Sequence, residues 1–232
     1  MTPEILYISK NAVVIYKPAS IASQSDVVGD KDAILLTKDL LKERGEREDL
    51  YLINRLDRVV GGLMLFARNK ESAAKLSSLL TADKMKKEYL AVTDGSFSDG
   101  ELVDWLCKDS IRSKASIVTE STSGAKKAVL VAKILDEAQY KGKDKYLVHI
   151  DLKTGRFHQI RAQLSSRGAP ISGDKKYGSR DFSLRMPALF AYKIELELEG
   201  EHIKVKKMPS AAEYPWNLFK NNELLKATEE EK

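Results

Sequence analysis

The chain is poor in the residues that hold metals and make covalent cross-links. Of its 232 residues one is cysteine, Cys107, and three are histidine: His149, His158 and His202. A lone thiol excludes an intrachain disulfide and any multi-cysteine zinc site. The histidines follow no metal-ligand spacing such as H-x-x-x-H. Long apolar runs are missing as well, and none approaches the roughly 18 residues that cross a bilayer. No G-x-x-x-x-G-K-[ST] phosphate loop, no G-x-G-x-x-G dinucleotide fingerprint and no G-x-S-x-G nucleophile elbow occurs, which disfavours nucleotide hydrolysis, hydride transfer and serine esterase chemistry. The opening "MTPEILYISKNAVVIYKP" alternates like a strand and lacks the charged head and cleavage site of a signal peptide. The expectation is a cytoplasmic protein with no membrane segment, metal or redox cofactor.

What is present is ordinary globular composition, 43% hydrophobic and 31% charged, with a formal net charge of +5. The last ten residues, "ELLKATEEEK", hold four acids and two lysines, a net of −2, so the rest carries +7. Basic residues fall in short groups: "KMKK" at 84–87, "KGKDK" at 141–145, "DKKYGSR" at 174–180 and "KVKK" at 204–207. Such clusters suit a polyanion, because phosphate contacts supply most sequence-independent nucleic-acid affinity. By themselves they are equally the solvated faces of a mildly basic protein.

Periodicity predicts strands over 4–8, 12–17, 50–56 and 63–67. It predicts helices over 30–45, with an apolar stripe of Ile34, Leu35, Leu40 and Leu41, and over 69–83, capped by Asn69. Beyond these, "KEYLAVTDG", "KAVLVAKIL", "KYLVHIDLK", "LFAYKIELEL" and "HIKVKK" read as strands. One helix, 156–168, interrupts them and stops at Gly168, and "AEYPWNLFK" reads as a short terminal helix. Strand runs with unevenly spaced helices predict an α+β domain with a mostly antiparallel mixed sheet flanked by helices.

Three segments combine apolar framing with reactive groups. In "LINRLDRVVGGLMLFARN" (52–69), Asp57 sits between Arg55 and Arg58 amid residues that suggest depth, followed by Gly61 and Gly62. In "KKEYLAVTDG" (86–95), Tyr89 follows Lys86 and Lys87 on a strand. In "LKTGRFHQIRAQLSSRGAPISGDKKYGS" (152–179), Arg156, His158 and Arg161 crowd the first turns of a helix, whose free N–H groups suit phosphate. Taken singly, Asp57 reads as a structural ion pair, Tyr89 as a half-buried strand residue, and the arginines as an exposed helix edge.

Taken in order, these blocks resemble the RluA-type pseudouridine synthases. "NRLDRVVGGL", "KEYLA", "TGRFHQIRAQL" and "PISGDKKYG" are similar to that family's motifs, and "YKPAS" at 16–20 resembles its early K-P-A-G element. The resemblance spans about residue 12 to residue 209. It implies a pseudouridine synthase-like catalytic domain over 1–222, followed by an acidic tail over 223–232 that is expected to fray. It implies an isomerase that flips specific uridines of rRNA or tRNA from the strand and converts them to pseudouridine. It also implies that Asp57 is the essential aspartate, Tyr89 stacks on the target base, and Arg161 comes from its helix to hold Asp57 ionised and oriented. Leu189, in "ALFAY", matches an apolar residue lining the pocket. Arg55, Arg58, Lys87, Arg156 and His158 are candidates for RNA contacts, with His158 orienting or structural, because the implied chemistry needs no imidazole. Gly61 and Gly62 would let the chain turn or approach a substrate.

The chain departs from the family pattern at Asn54, at Val59–Gly62, at Gln163 and at Phe190, which bears on the hydrogen bonds of the catalytic loop. Those departures motivate a rival reading, a non-catalytic RNA-binding protein on the same fold. A two-carboxylate glycosidase is disfavoured, since no second carboxylate has a comparable setting. No counterpart of the small N-terminal RNA-binding module of some relatives is found, so recognition is expected to rest on the domain's own basic surface. No obligate protein partner is implied, and a monomer suffices.

Overall fold

The computed structural model of the chain describes residues 2–25 and 30–226. In chain order its elements are β1 (Glu4–Ile8), β2 (Ala12–Lys17), α1 (Ala33–Glu43), β3 (Tyr51–Leu52), β4 (Gly61–Ala67), α2 (Lys70–Thr81) and β5 (Lys86–Thr93). There follow β6 (Gly100–Asp109), β7 (Lys114–Val118), β8 (Lys126–Tyr140), β9 (Lys143–Leu152), α3 (Gln159–Ser166), β10 (Leu189–Leu198), β11 (Glu201–Lys206) and α4 (Glu223–Lys226). These fall into two compact units. One comprises Met1–Lys87 with Ala191–Lys207, the other Glu88–Phe190 with Met208–Lys232.

In the first unit the strands run in the order β1-β2-β4-β10, with β3 on β4 and β11 on β10. The β1/β2, β2/β4 and β10/β11 pairs are antiparallel. Every residue of β4 is buried, which is why its sequence is a continuous apolar run and not an alternation. Val14, Leu63, Leu65, Ile194, Leu196 and Ile203 form the core, and Leu76 of α2 packs onto it. The expected Asn69 cap is made, and Asp32 caps α1 in the same way. Asp32 Oδ1 accepts from the Leu35 N–H at 2.9 Å, and Asn69 Oδ1 accepts from the Ser72 N–H at 2.8 Å. Of the stripe expected on α1, Leu41 is fully buried but Leu35 faces outward, half exposed; Ala33 and Thr37 take the inner face instead.

In the second unit the order is β5-β9-β8-β6-β7, all antiparallel. The β6–β7 hairpin is not anticipated by the sequence patterns, because "GELVDWLCKD" and "KASIV" mix polar and apolar residues without clean alternation. Helix α3 packs on that hairpin through Ala162, beside Leu106, Ala115 and Tyr177. The α+β class expected from the sequence is the observed one.

Three local expectations need correction. The strand over 50–56 is reduced to Tyr51–Leu52: after a last backbone bond from the Ile53 N–H to the Leu65 carbonyl, the Leu56 N–H and carbonyl bond to the Ser23 hydroxyl and not to a ladder. The helix over 156–168 begins only at Gln159, because His158 adopts a left-handed conformation (φ 52°) that no α-helix continues through. The tail expected from residue 223 starts as a helical turn, α4, with Leu225 buried; residues 227–232 lie outside the described residues.

The role of Gly62 also differs from the expectation of a turn or a substrate contact. Its φ is 130°, and an added Cβ would lie 2.4 Å from the Ala191 carbonyl oxygen and 2.5 Å from the Ala191 nitrogen. The residue is glycine because another backbone passes where a side chain would be. Gly62→Ala is therefore expected to cost about 3 kcal/mol, the upper end of overpacking effects. An unchanged midpoint in thermal unfolding would contradict this account.

Candidate active site

Asp57 lies on the loop between β3 and β4 in the first unit, half-buried, between an exposed Arg55 and an exposed Arg58. The triplet is thus not sunk in the core as its apolar framing suggested. Ile53, Leu56 and Val60 point inward and anchor the loop while the charged residues stay accessible. Arg58 is occupied by an acid, Asp30, at 2.5 Å.

The loop is pinned by side chains to which the sequence alone assigns no role. The Ser23 hydroxyl accepts from the Leu56 N–H at 2.9 Å and donates to the Leu56 carbonyl at 2.7 Å. Asn54, at a departure from the family pattern, accepts from the Leu65 N–H at 2.7 Å and so ties the loop to β4. The Ser20 N–H donates to the Arg58 carbonyl at 2.8 Å, and the Val60 N–H to the Asp57 carbonyl at 3.0 Å.

Beneath the loop is Lys17, the last residue of β2 and fully buried. Its ammonium donates to the carbonyls of Pro18 at 3.0 Å and Ile21 at 2.8 Å. Burial pushes its pKa down to about 8, against the upward pull of the Asp57 charge. The "YKPAS" stretch therefore contributes a buried cation that senses Asp57. Only the family resemblance of that stretch hinted at it, and burial could not be read from one lysine.

Tyr89, Arg161, Leu189, Arg156 and His158 lie in the second unit. Tyr89 is buried on β5, opposite Ile150 of β9. Leu189 is buried at the start of β10. Arg161 is not an exposed phosphate ligand at a helix end. Its side chain is buried and forms a two-point pair with Asp174, Nε to Oδ2 at 2.6 Å and Nη2 to Oδ1 at 2.8 Å, with the Tyr177 ring 4.9 Å away. Arg156 is exposed, with Nε donating to the Lys127 carbonyl at 2.9 Å. Lys87, belonging to the first unit, is buried. Asp174 and Tyr177 are the residues missed by sequence reasoning. Both stand in the "PISGDKKYG" block, but nothing in their spacing says that one clamps Arg161 and the other lies against it.

His158 stacks on Phe157 with ring centroids 3.8 Å apart, and its Nδ1 lies 3.0 Å from the Tyr177 hydroxyl. Burial first, then the Arg161 charge, push its pKa down to about 3. It is neutral from pH 5 to 8 and offers RNA no positive charge. Above the ordinary value of 6.5, neither folded nor unfolded chain protonates this residue. As pH falls from 6.5 towards 3 the unfolded chain takes up a proton that the folded one refuses, so stability is lost. His158→Gln is expected to flatten the acid side of a plot of melting midpoint against pH in that window. An unaltered acid limb would show that this histidine is not the source.

The chain belongs to the RNA pseudouridylate synthase family, whose model matches residues 11–166. The RluA-type reading of the motifs holds. Among curated relatives, the ribosomal large subunit pseudouridine synthase C of Rickettsia bellii is 32% identical over 179 residues, covering 77% of this chain and 58% of that protein. The tRNA pseudouridine synthase C of Haemophilus ducreyi is 32% identical over 188 residues, 77% of this chain and 75% of that protein. This chain thus spans less than two thirds of the Rickettsia protein's length. The fold is similar to that of the solved human RNA pseudouridylate synthase domain containing 1, with a TM-score of 0.73 and 21% identity over 93% of this chain and 86% of that one. It is also similar to human RNA pseudouridylate synthase domain containing 4, with a TM-score of 0.70 and 24% identity over 96% and 92%.

Proposed function

We propose that this protein isomerises uridine to pseudouridine in ribosomal or transfer RNA, with Asp57 as the essential carboxylate. The observation that carries the reading is the loop at 53–60. It holds one accessible acid on a loop pinned by buried Ser23 and Asn54, with the buried Lys17 ammonium within electrostatic reach, in the "NRLD" stretch that resembles the family's motif. Such bracing is what a reacting carboxylate needs, since misplacement by about 1 Å can cost on the order of 10²-fold in rate.

In the proposed reaction the bond from ribose C1′ to uracil N1 breaks, the base rotates in place, and C5 bonds to C1′. C5 then releases its proton and N1 gains one, so nothing is oxidised or reduced and no metal or cofactor is required. Asp57 acts on the ribose, by covalent attack or by taking the C2′ proton. The nucleotide leaves its stack at a cost of a few kcal/mol. Stacking on Tyr89 offsets part of this, about 1–3 kcal/mol. Arg161, held in shape by Asp174, stands where the family resemblance implies the arginine that steadies the essential aspartate. The test is to incubate the protein with rRNA and tRNA transcribed in vitro and to quantify pseudouridine. Modification at defined uridines is expected. RNA binding with no product on either transcript would instead favour a non-catalytic RNA-binding protein.

A further inference from the structure

The basic residues of two clusters in the sequence, at 141–145 and 174–180, have no part in the proposed chemistry, yet both clusters border one cleft of the second unit. It has a volume of about 830 Å³, within the usual range for ligand sites. Its lining includes Lys141 and Lys143 at the tip of the β8–β9 hairpin, and Arg180. All three are exposed, and none pairs with a carboxylate among the described residues. The hairpin tip is a tight turn, with Lys141 at φ 51° and Gly142 at φ 72°, which holds the two lysines on either side of the glycine. Aromatic surface lies beside the charges: Phe182 is 74% exposed, and Tyr140 is half-buried.

Beneath the rim is a prebuilt polar floor. Lys145, itself buried, bonds to Asp94 at 2.6 Å, Asp181 at 2.7 Å and Ser172 at 3.1 Å. Ser179 donates to the other Asp94 oxygen at 2.5 Å, and the Tyr214 hydroxyl to Asp181 at 2.5 Å. Burial pushes the Asp181 carboxyl up, but the hydrogen bonds from Lys145 and Tyr214 outweigh it and leave it at about 2. Asp181 therefore stays ionised at any working pH, and the hydrogen bonds among Lys145, Asp94, Asp181 and Ser179 present a ligand with walls that need no reordering.

Cations at the mouth, an exposed ring beside them and a polar, acceptor-rich floor match the parts of one nucleotide: phosphate, base face and base edge. The cleft is also separate from Tyr89. Asp94 lies five residues further along the chain from Tyr89, just past the end of β5, which at about 3.3 Å per strand residue is roughly 16 Å. We propose that this cleft is a second RNA subsite, which seats one unpaired nucleotide of the substrate strand away from the target uridine. Lys141, Lys143 and Arg180 hold its phosphate, and its base lies against Phe182. The subsite deepens the proposed RNA function and rests on it.

The test uses the full chain and three forms: wild type, Lys143→Glu/Arg180→Glu, and Phe182→Ala. All three altered residues are on the surface, so folding is preserved. Affinity for a fluorescein-labelled 12-nucleotide single-stranded RNA is measured by anisotropy across a salt series, with unlabelled UMP as competitor, and pseudouridine formation is followed on long transcripts. The expected result is at least a five-fold weaker Kd in both variants. The charge-reversed form should also show a flatter salt dependence, by about 0.7 in log–log slope for each phosphate no longer neutralised. KM should rise in parallel with unchanged kcat. Unchanged RNA affinity in both variants overturns the subsite. So does UMP binding in the cleft as tightly as the strand, which would make it a free-nucleotide site. If wild type forms no pseudouridine but the variants still bind RNA more weakly than it does, the catalytic reading fails and the subsite stands.

Discussion

Asp57→Asn is expected to lower pseudouridine formation by about 10³-fold, mid-range for a positioned acid or base, while RNA affinity stays within two-fold of wild type. The substitution keeps the size of the side chain and its place on the loop, so the hydrogen bonds of Ser23, Asn54 and Ser20 to the backbone survive. What it removes is the negative charge and the nucleophilic oxygen. Single-turnover assays isolate the chemical step from product release, and circular dichroism reports whether the loop's surroundings remain folded. Retention of more than about a tenth of the wild-type rate would remove Asp57 from the mechanism. The buried ammonium of Lys17 adds a second readout, since it lies within electrostatic reach of this carboxylate. In Asp57→Asn the Lys17 pKa should fall further below about 8, because the negative charge that pulls it upward is gone. NMR of the labelled ammonium can follow this.

The largest effect on stability is expected at Asp174. It and Arg161 are almost completely enclosed, joined by two short bonds. Asp174→Ala takes the two-point carboxylate away from a guanidinium in the interior, and breaking a buried pair in this way typically costs about 3–5 kcal/mol. For a chain of this size that corresponds to a fall in Tm of about 6–20 °C. The Asp174→Leu/Arg161→Met double variant separates fold from function. It removes both charges and fills the space with apolar atoms, so much of the lost stability should return. Activity should not return, because the charge proposed to steady Asp57 is absent. A double variant that regains turnover along with its midpoint would reduce Arg161 to a structural residue. A single variant as stable as wild type would mean that water reaches Arg161 and that the pair is not buried in solution.

Much of the architecture is legible in the sequence because it rests on local rules. Asp32 and Asn69 cap their helices through a side-chain oxygen three residues before the N–H it serves, a relation contained within one turn. Strands β1 and β2 follow from alternation and a short turn, and β4 from a run too apolar for a surface. The β6–β7 hairpin escapes such rules because an edge hairpin packed on a helix needs neither alternation nor a strong apolar run. Leu35 is misplaced on the inner face of α1 because periodicity gives a stripe and not its direction, and the packing surface selects Thr37 instead.

The candidate site divides in the same way. The order of the blocks around Asp57, Tyr89 and Arg161 is a property of the chain, and it carries the family by itself. The amino-acid sequence thus determined the α+β class, the family and the positions at which chemistry is proposed, since each depends on residue type and on spacing within a segment. Only the tertiary structure decided that Asp174 clamps Arg161, that Lys17 lies buried within reach of the Asp57 charge, that Gly62 makes room for the backbone at Ala191, and that two distant basic clusters border one cleft. Those facts depend on which segments meet after folding. Burial then sets the strength of every charge and hydrogen bond involved, and neither contact nor burial is written in the order of residues along one strand or turn.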